Sequence, residues 1–276
     1  MYQLDRKSLE TIYISFVRPL LEYGDVIWDN CTQYEKDELN KIQNEAARIC
    51  TGTSKLVSLT NLSNEINWEC LETRRKHHKL IMFYKMINGL TPAYLAQLVP
   101  QSVSTHVHYN LRNIQNLNVP FCRTNIYYNS FLPTAIREWN ELPHEIKNAD
   151  TLDMFKNRLK TNQQLTPLHY YTGHRKAQIL HTRLRNKCSA LNEDLFLKGI
   201  VDSALCQCGL VESSHHFFFI CRFYHTIRQV LFTNASRLCG LTLNNFLFGN
   251  NSLSHEINVD LFLAVQKFIM ESKRFP

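Results

Sequence analysis

The chain has 276 residues, and its 44% hydrophobic content is enough to build a core in one or two domains. It contains no apolar run long enough for a transmembrane helix, and its first residues lack the basic and then apolar order of a signal peptide. We therefore expect an intracellular protein, nuclear or cytoplasmic, whose nine cysteines serve as free thiols and metal ligands and not as disulfides.

The net charge of +7 is concentrated in the middle of the sequence. Residues 1–70 contain seven Lys/Arg and eleven Asp/Glu, whereas residues 71–200 contain eighteen and eight. A basic middle suits a polyanionic partner, of which nucleic acid is the commonest, although solubility alone also accounts for a moderate excess.

The first hundred residues show the spacing of amphipathic helices. From Ser8, the expected N-cap, apolar residues follow the helical period to about Tyr23, with Pro19 expected to kink the helix. The sequence predicts further helices over residues 34–50, 58–66 and 69–87.

The helix at 69–87 begins with a basic run that covers most of its circumference. The run includes Arg74, Arg75, Lys76 and Lys79. The functional interpretation is a rail for nucleic-acid phosphates, and the alternative is an ordinary solvated face.

The middle of the chain loses helical periodicity. Residues 101–132 predict loops with one or two short strands, whereas Phe131 and Asp150 are expected to open short helices. Residues 163–171 are expected to form a linker.

A second basic helix is predicted over residues 173–190. Its cations are Arg175, Lys176, Arg183, Arg185 and Lys187. The helix leads directly into a cysteine-rich segment, and basic residues beside a zinc knuckle are a recurring arrangement in proteins that bind single-stranded nucleic acid.

The cysteine-rich segment has the composition of a zinc site. Cys206, Cys208, His216 and Cys221 supply three thiolates and one imidazole within sixteen residues, and these are the ligand types that zinc prefers. Because four protein ligands leave no position for water, the predicted ion is structural and not catalytic.

Two alternatives to this ligand set stay open. His215 competes with His216 for the fourth position, and the single residue between Cys206 and Cys208 is tighter than the usual two to four. The segment can also be a group of buried reduced cysteines with a core histidine, since free Cys behaves as a small hydrophobe.

In their order along the chain, several segments resemble the region downstream of the polymerase core in the reverse transcriptases of non-LTR (LINE-type, jockey-like) retrotransposons. The resemblance covers most of the chain. Its carriers are YISFVRPLLEYG (13–24) with VIW (26–28), LNKIQNEAAR (39–48), WECLETRR (68–75), FLPTAIREWNELP (131–143), FKNRL (155–159) and CQCG (206–209) with Glu212, His216 and Cys221.

This resemblance implies a mainly α fold with three successive parts. Residues 1–100 would form a helical thumb-like domain, residues 101–165 a mixed loop, strand and helix connector, and residues 166–276 a basic helix with a zinc-knuckle domain. The tight first cysteine pair departs from the familiar two-residue gap of such knuckles.

The family is an RNA-directed DNA polymerase, but its catalytic carboxylates belong to a palm domain upstream of the thumb. The chain contains no adjacent Asp-Asp pair, so we expect no polymerase activity.

The expected partners are RNA or single-stranded or duplex nucleic acid, with no membrane and no small-molecule substrate. The second hypothesis is a zinc-stabilised helical module for protein interaction or structure, and a catalytic triad of distant residues is not excluded.

Overall fold

The computed structural model describes residues 4–101, 116–160 and 165–275, and the described residues are mainly helical, as the sequence predicts. The α-helices are α1 (Arg6–Ile12), α2 (Arg18–Leu21), α3 (Asp25–Trp28), α4 (Gln33–Thr51), α5 (Leu59–Ile66), α6 (Leu71–Ile87), α7 (Ala93–Ala96), α8 (Asn125–Tyr128), α9 (Phe131–Glu141), α10 (His144–Lys147), α11 (Leu152–Leu159), α12 (Arg175–Arg185), α13 (Asn192–Phe196), α14 (His225–Ala235), α15 (Leu243–Phe248) and α16 (His255–Glu271). Shorter turns of π-helix cover Tyr13–Val17 and His216–Ile220, and 3-10 turns cover Leu168–Tyr171 and Arg222–Tyr224.

The chain forms two compact units, each assembled from segments that lie apart in the sequence. The first unit combines Met1–Val17, Ile42–Trp68 and Leu165–Pro276, and the second combines Arg18–Lys41 and Glu69–Gln164. Long-range hydrogen bonds explain the composition of the first unit, because Thr166 donates to the carbonyl of Ile66 and Arg185 to the carboxylate of Glu65.

The main core of the first unit lies around α16, which packs against α12 and α14. Phe217, Phe218 and Phe246 are fully buried there against Phe268. Each buried aromatic side chain contributes about 2 kcal/mol or more by leaving water, so these rings anchor the segment that contains His216 and Cys221.

Gly52 allows α12 to approach the end of α4 closely within the first unit. Its φ of +73° lies in the left-handed region, and a Cβ at this position would come within 2.3 Å of Ile179 Cγ1. Glycine is therefore required both by the backbone conformation and by the contact.

The second unit is organised around α6, which packs against α9 and α11. Phe83, Tyr84, Trp139 and Phe155 form its aromatic core, and the Tyr84 hydroxyl donates to the carbonyl of Ala149 at 2.7 Å. This packing fixes the orientation of the basic face of α6.

Several local expectations are corrected. Asp5 and not Ser8 caps α1, since its carboxylate accepts from the Ser8 amide at 2.8 Å, and Thr151 and not Asp150 caps α11. Within residues 101–132, where loops and one or two short strands are expected, Asn125–Tyr128 forms α8, and the 3-10 turn Leu168–Tyr171 lies within the predicted linker. Residues 102–115 of that region lie outside the described residues.

Among the described residues, no helix is both long and apolar enough to span a lipid bilayer.

Candidate metal centre

The first two candidate ligands lie on a tight antiparallel turn. Leu205 and Val211 form a bridge, and the amide of Cys206 donates to the carbonyl of Leu210 at 2.8 Å. Gly209 has a φ of +95°, a conformation that L-residues rarely adopt, and this relieves the one-residue gap between the cysteines. The turn therefore holds Cys206 and Cys208 on one side of the hairpin.

The second pair of ligands is held by a π-helical turn. Cys221 lies five positions after His216, and its amide donates to the carbonyl of His216 at 2.9 Å. This i to i+5 bond brings the two side chains to one side of the turn, whereas an α-helix with 3.6 residues per turn would point them in different directions. Phe217 and Phe218 face the core instead.

The four donor atoms converge. The sulfurs of Cys206, Cys208 and Cys221 and a ring nitrogen of His216 all lie within 4.8 Å of one another. Cys206 Sγ is 3.8 Å from Cys221 Sγ, and Cys208 Sγ is 3.0 Å from His216 Nε2. Tetrahedral Zn²⁺ with bonds of about 2.3 Å to sulfur separates its sulfur ligands by about 3.8 Å, so the arrangement fits this ion.

His216, and not His215, completes the cluster. The side chain of His216 is buried, whereas His215 is exposed and stacks on the ring of Phe219 at 5.2 Å between centroids. The ligand alternative left open by the sequence is thereby decided in favour of the more deeply packed histidine.

The protonation of the cluster depends on its surroundings. Burial raises the pKa of the Cys221 thiol to about 11, whereas the Leu210 amide lowers the pKa of Cys208. Burial also lowers the pKa of His216, which favours the neutral imidazole that metals require. Zn²⁺ binds thiolates, so metal uptake would release protons from these cysteines.

Buried charged side chains surround the cluster. Glu212, which follows the hairpin, accepts two hydrogen bonds of 2.7 Å from Arg274 and one of 2.9 Å from the Asn192 amide. Arg228 donates to the carbonyl of Cys221 at 2.5 Å. With three thiolates and Zn²⁺ the centre would have a net charge of −1, which the nearby guanidinium of Arg228 offsets.

The chemistry of this donor set is that of a closed site. When bound, Zn²⁺ would cross-link the hairpin to the π-helical turn, and the four protein ligands would fill its tetrahedral coordination. The residues Cys206, Cys208, His216 and Cys221 would then stabilise the fold without activating a water molecule.

The basic residues of α6, proposed from the sequence as a phosphate rail, lie mostly in internal ion pairs. Arg75 is 3% exposed and pairs with Asp29 at 3.0 Å, and Lys79 is 4% exposed and lies 2.8 Å from the same carboxylate. Arg74 donates to Glu22 at 2.9 Å. The expectation of an exposed rail is therefore wrong for Arg75 and Lys79, because their charges are neutralised within the second unit.

The basic residues of α12 show a similar pattern. Arg175 is 5% exposed and donates to the carbonyls of Ile49 and Cys50 at 2.6 and 2.7 Å. Arg185 is 7% exposed and pairs with Glu65 at 2.9 Å. The sequence expectation that these two arginines present a phosphate-binding surface is corrected, since the packing of the first unit uses their guanidinium groups.

Five of the nine proposed cations are not buried. Lys76 and Lys187 are exposed, and Arg74, Lys176 and Arg183 are partly buried, Arg74 in its ion pair with Glu22. Sequence reasoning also missed Arg222 and Phe223, which follow Cys221 directly and are both exposed, with the guanidinium carbon 5.4 Å from the ring centroid. The sequence signal that could have identified them is an arginine and a phenylalanine directly after a candidate metal ligand.

Comparisons with known proteins find no counterpart. No protein-family model, curated protein or solved structure matches the chain.

Proposed function

We propose that this chain is a non-catalytic nucleic-acid-binding region of a retrotransposon-type reverse transcriptase, stabilised by a structural zinc ion. The observation that carries the proposal is the convergence of Cys206, Cys208, His216 and Cys221 in a closed set of four ligands. A closed centre suits a knuckle that presents neighbouring side chains to a strand and does not suit hydrolysis.

The side chains next to the knuckle support a nucleic-acid partner. Arg222 and Phe223 offer a guanidinium and an aromatic ring side by side at the surface, with Phe223 54% exposed. Bases stack on exposed aromatic rings and phosphates pair with arginine, so the combination is typical of single-strand binding. The net charge of +7 favours the same partner.

The proposal is tested with the zinc-loaded chain and fluorescently labelled single-stranded RNA, single-stranded DNA and duplex DNA. Fluorescence anisotropy is measured at 50 and 200 mM KCl. Four phosphate contacts on a single strand would weaken binding roughly 50-fold over this interval, because bound counterions are released. An absence of binding at 50 mM KCl would refute the proposal.

Matched variants locate the contact. Arg222→Glu and Phe223→Ala are expected to weaken binding about tenfold each by removing a phosphate contact and a stacking ring. The controls are Arg237→Glu, at another exposed arginine, and Phe196→Ala, at a ring that is 47% exposed. Equal losses in the variants and controls would assign the binding to general charge and hydrophobicity.

The second candidate function is a zinc-stabilised module that binds another protein or has a purely structural role, and exposed apolar side chains near the hairpin favour it. Apolar side chains before and within the hairpin are exposed, among them Leu197 at 68%, Ile200 at 53% and Leu210 at 53%. Exposed apolar groups of this kind favour a protein contact. Binding to nucleic acid that falls with salt supports the first proposal, and its absence together with an intact zinc centre supports the second.

A further inference from the structure

A groove in the first unit lies apart from the four candidate metal ligands. Its volume is about 400 Å³, within the range of roughly 300–1,000 Å³ that ligand sites occupy. It runs along the end of α4, the loop that follows and one face of α12. Four cationic side chains line it, Arg48, Lys55, Arg175 and Arg183, opposite the carboxylate of Glu45.

The positive charge of the groove is poorly neutralised. Arg48 lies 3.5 Å from Glu45, which is a long and partly exposed ion pair. Within the described part of the chain, Lys55, Arg175 and Arg183 have no carboxylate at ion-pair distance. Burial and the neighbouring charge of Arg6 lower the pKa of Arg175, whereas the carboxylates of Asp5 and Glu10 raise it. The charges of the side chains that line the groove therefore sum to +3, with Asp5 and Glu10 acting on Arg175 from outside this lining.

Two residues that line the groove each have a buried nitrogen without a hydrogen-bond partner among the described residues. Arg175 donates its two terminal nitrogens to the carbonyls of Cys50 and Ile49, but its Nε has no such partner. The Nε of Arg48 is likewise buried and unpaired in the described ranges. Buried donors are normally satisfied, so these two guanidinium groups keep unused hydrogen-bonding capacity in the wall of the groove.

Capping of α4 does not account for all of this charge. Arg175 and Arg183 bind the carbonyls of Ile49, Cys50 and Gly52 at the end of the helix. The end of a helix has a partial charge of roughly −0.5, and this offsets only a small part of the excess. Lys55 takes no part in the capping, since it is exposed and lies on the loop after α4.

An apolar wall faces the cations. It is formed by Leu4, Leu9, Ile49 and Ile179, of which Leu4 and Ile49 are about half exposed. A ligand that satisfies both sides of the groove has an anionic group and an apolar or planar part.

We infer that this groove binds a nucleotide, with its phosphate on Arg48, Arg183 and Lys55 and its base on the apolar wall. The inference rests on the proposed function if the nucleotide is part of a strand, and it stands alone if the nucleotide is free. Phosphate is favoured over a carboxylate because its double charge and its several oxygens match paired guanidinium groups and three excess charges.

The test uses the zinc-loaded full chain with a labelled 12-nucleotide single strand, with AMP and with inorganic phosphate. Lys55→Glu reverses a charge that makes no ion pair in the described residues, so the fold should persist. Lys198→Glu is the matched control, since Lys198 is exposed and does not line the groove. Lys55→Glu is expected to weaken strand and AMP binding about tenfold, and Lys198→Glu less than twofold.

The outcomes test the proposed nucleotide site in the groove independently of the proposed function. Strand binding and AMP binding that are both unchanged in Lys55→Glu would overturn the proposed groove site and leave the proposed function intact. AMP binding that is lost in Lys55→Glu, without any strand binding, would support the groove and overturn the proposed function. Inorganic phosphate bound as tightly as AMP would show that the apolar wall holds no base, which overturns the assignment of a nucleotide.

Discussion

Arg274 and Glu212 form a two-point ion pair in which Nε and a terminal nitrogen of the arginine each lie 2.7 Å from a carboxylate oxygen. The same arginine donates to the carbonyl of Ala190 at 2.9 Å. Burial opposes the charge of Glu212, but the hydrogen bonds from Arg274 and from the Asn192 amide outweigh it and lower its pKa. The pair thus fixes the residue that follows the ligand-bearing hairpin to the last residues of the chain.

Removing this pair is expected to destabilise the first unit. Arg274→Gln leaves the buried carboxylate of Glu212 without its charged donor, and we expect a loss of about 2 kcal/mol in the free energy of unfolding. Urea denaturation of the zinc-loaded chain measures it. Adding Glu212→Gln should recover part of the loss, since it removes the unpaired charge, and a double variant less stable than Arg274→Gln would contradict the pairing.

Replacement of a candidate ligand is expected to remove the metal. Cys221→Ser should abolish the binding of one equivalent of zinc, measured by plasma emission spectroscopy, because the buried thiolate is one of four converging donors. The free energy of unfolding should fall by several kcal/mol, since a structural zinc ion supplies about 10 kcal/mol or more.

Cys239→Ser is the control for this substitution, because Cys239 is a free, partly buried cysteine outside the cluster. It should keep the metal and the melting temperature. Zinc that stays bound in Cys221→Ser would exclude Cys221 as a ligand, and a native chain that binds no zinc would mean that the four residues form a reduced core without an ion.

Replacing Arg185 and replacing Lys187 are expected to have different effects on stability, because only Arg185 is buried. Arg185→Gln should cost about 3–5 kcal/mol in stability, since it leaves Glu65 with one arginine fewer in a buried site that also contains Arg6. Lys187→Gln should change stability by less than about 0.5 kcal/mol, because Lys187 is exposed. Thermal unfolding of both variants measures this difference. Similar stabilities would mean that Arg185 is not a buried structural residue and lies at the surface, as expected from the sequence.

His181 predicts a loss of stability in acid. Burial lowers its pKa to about 3, and Nε2 donates to the carbonyl of Phe246 at 2.7 Å. The unfolded chain, with an ordinary pKa near 6.5, takes up a proton that the folded chain excludes, so the penalty is absent above pH 6.5 and grows below it. Between pH 6.5 and 5 it should reach about 2 kcal/mol.

His181→Gln removes the contribution of His181 protonation to the loss of stability, because the amide of glutamine can donate to the same carbonyl without titrating. Urea denaturation at pH 6.5 and 5, in excess zinc, should show a smaller decrease in stability for the variant than for the native chain. Some decrease should persist, since burial also lowers the pKa of His169. Identical decreases in the two proteins would exclude His181 as a source of the acid sensitivity.

Much of the local structure follows from short-range patterns. The spacing of apolar residues correctly predicted α4 and α5, and in the structure Ser58 caps α5 by accepting from the Asn61 amide. The identities and spacing of Cys206, Cys208, His216 and Cys221 were also sufficient to predict that these four side chains converge in a set that could bind a metal, because they lie close together in the chain. The choice between His215 and His216 was not decided by spacing, since it depends on which ring packs inward.

The sequence by itself determined the helical class of this protein and the chemistry of its cysteine cluster, both of which depend on neighbours along the chain. Only the tertiary structure decided the role of the charges. Four cations that the sequence suggests lie at the surface are in fact buried. Arg75 and Lys79 pair with Asp29, Arg185 pairs with Glu65, and Arg175 donates to backbone carbonyls at the end of α4. The physical reason is that the partner of a buried charge lies tens of residues away, so no local pattern reveals whether that charge faces water or another side chain.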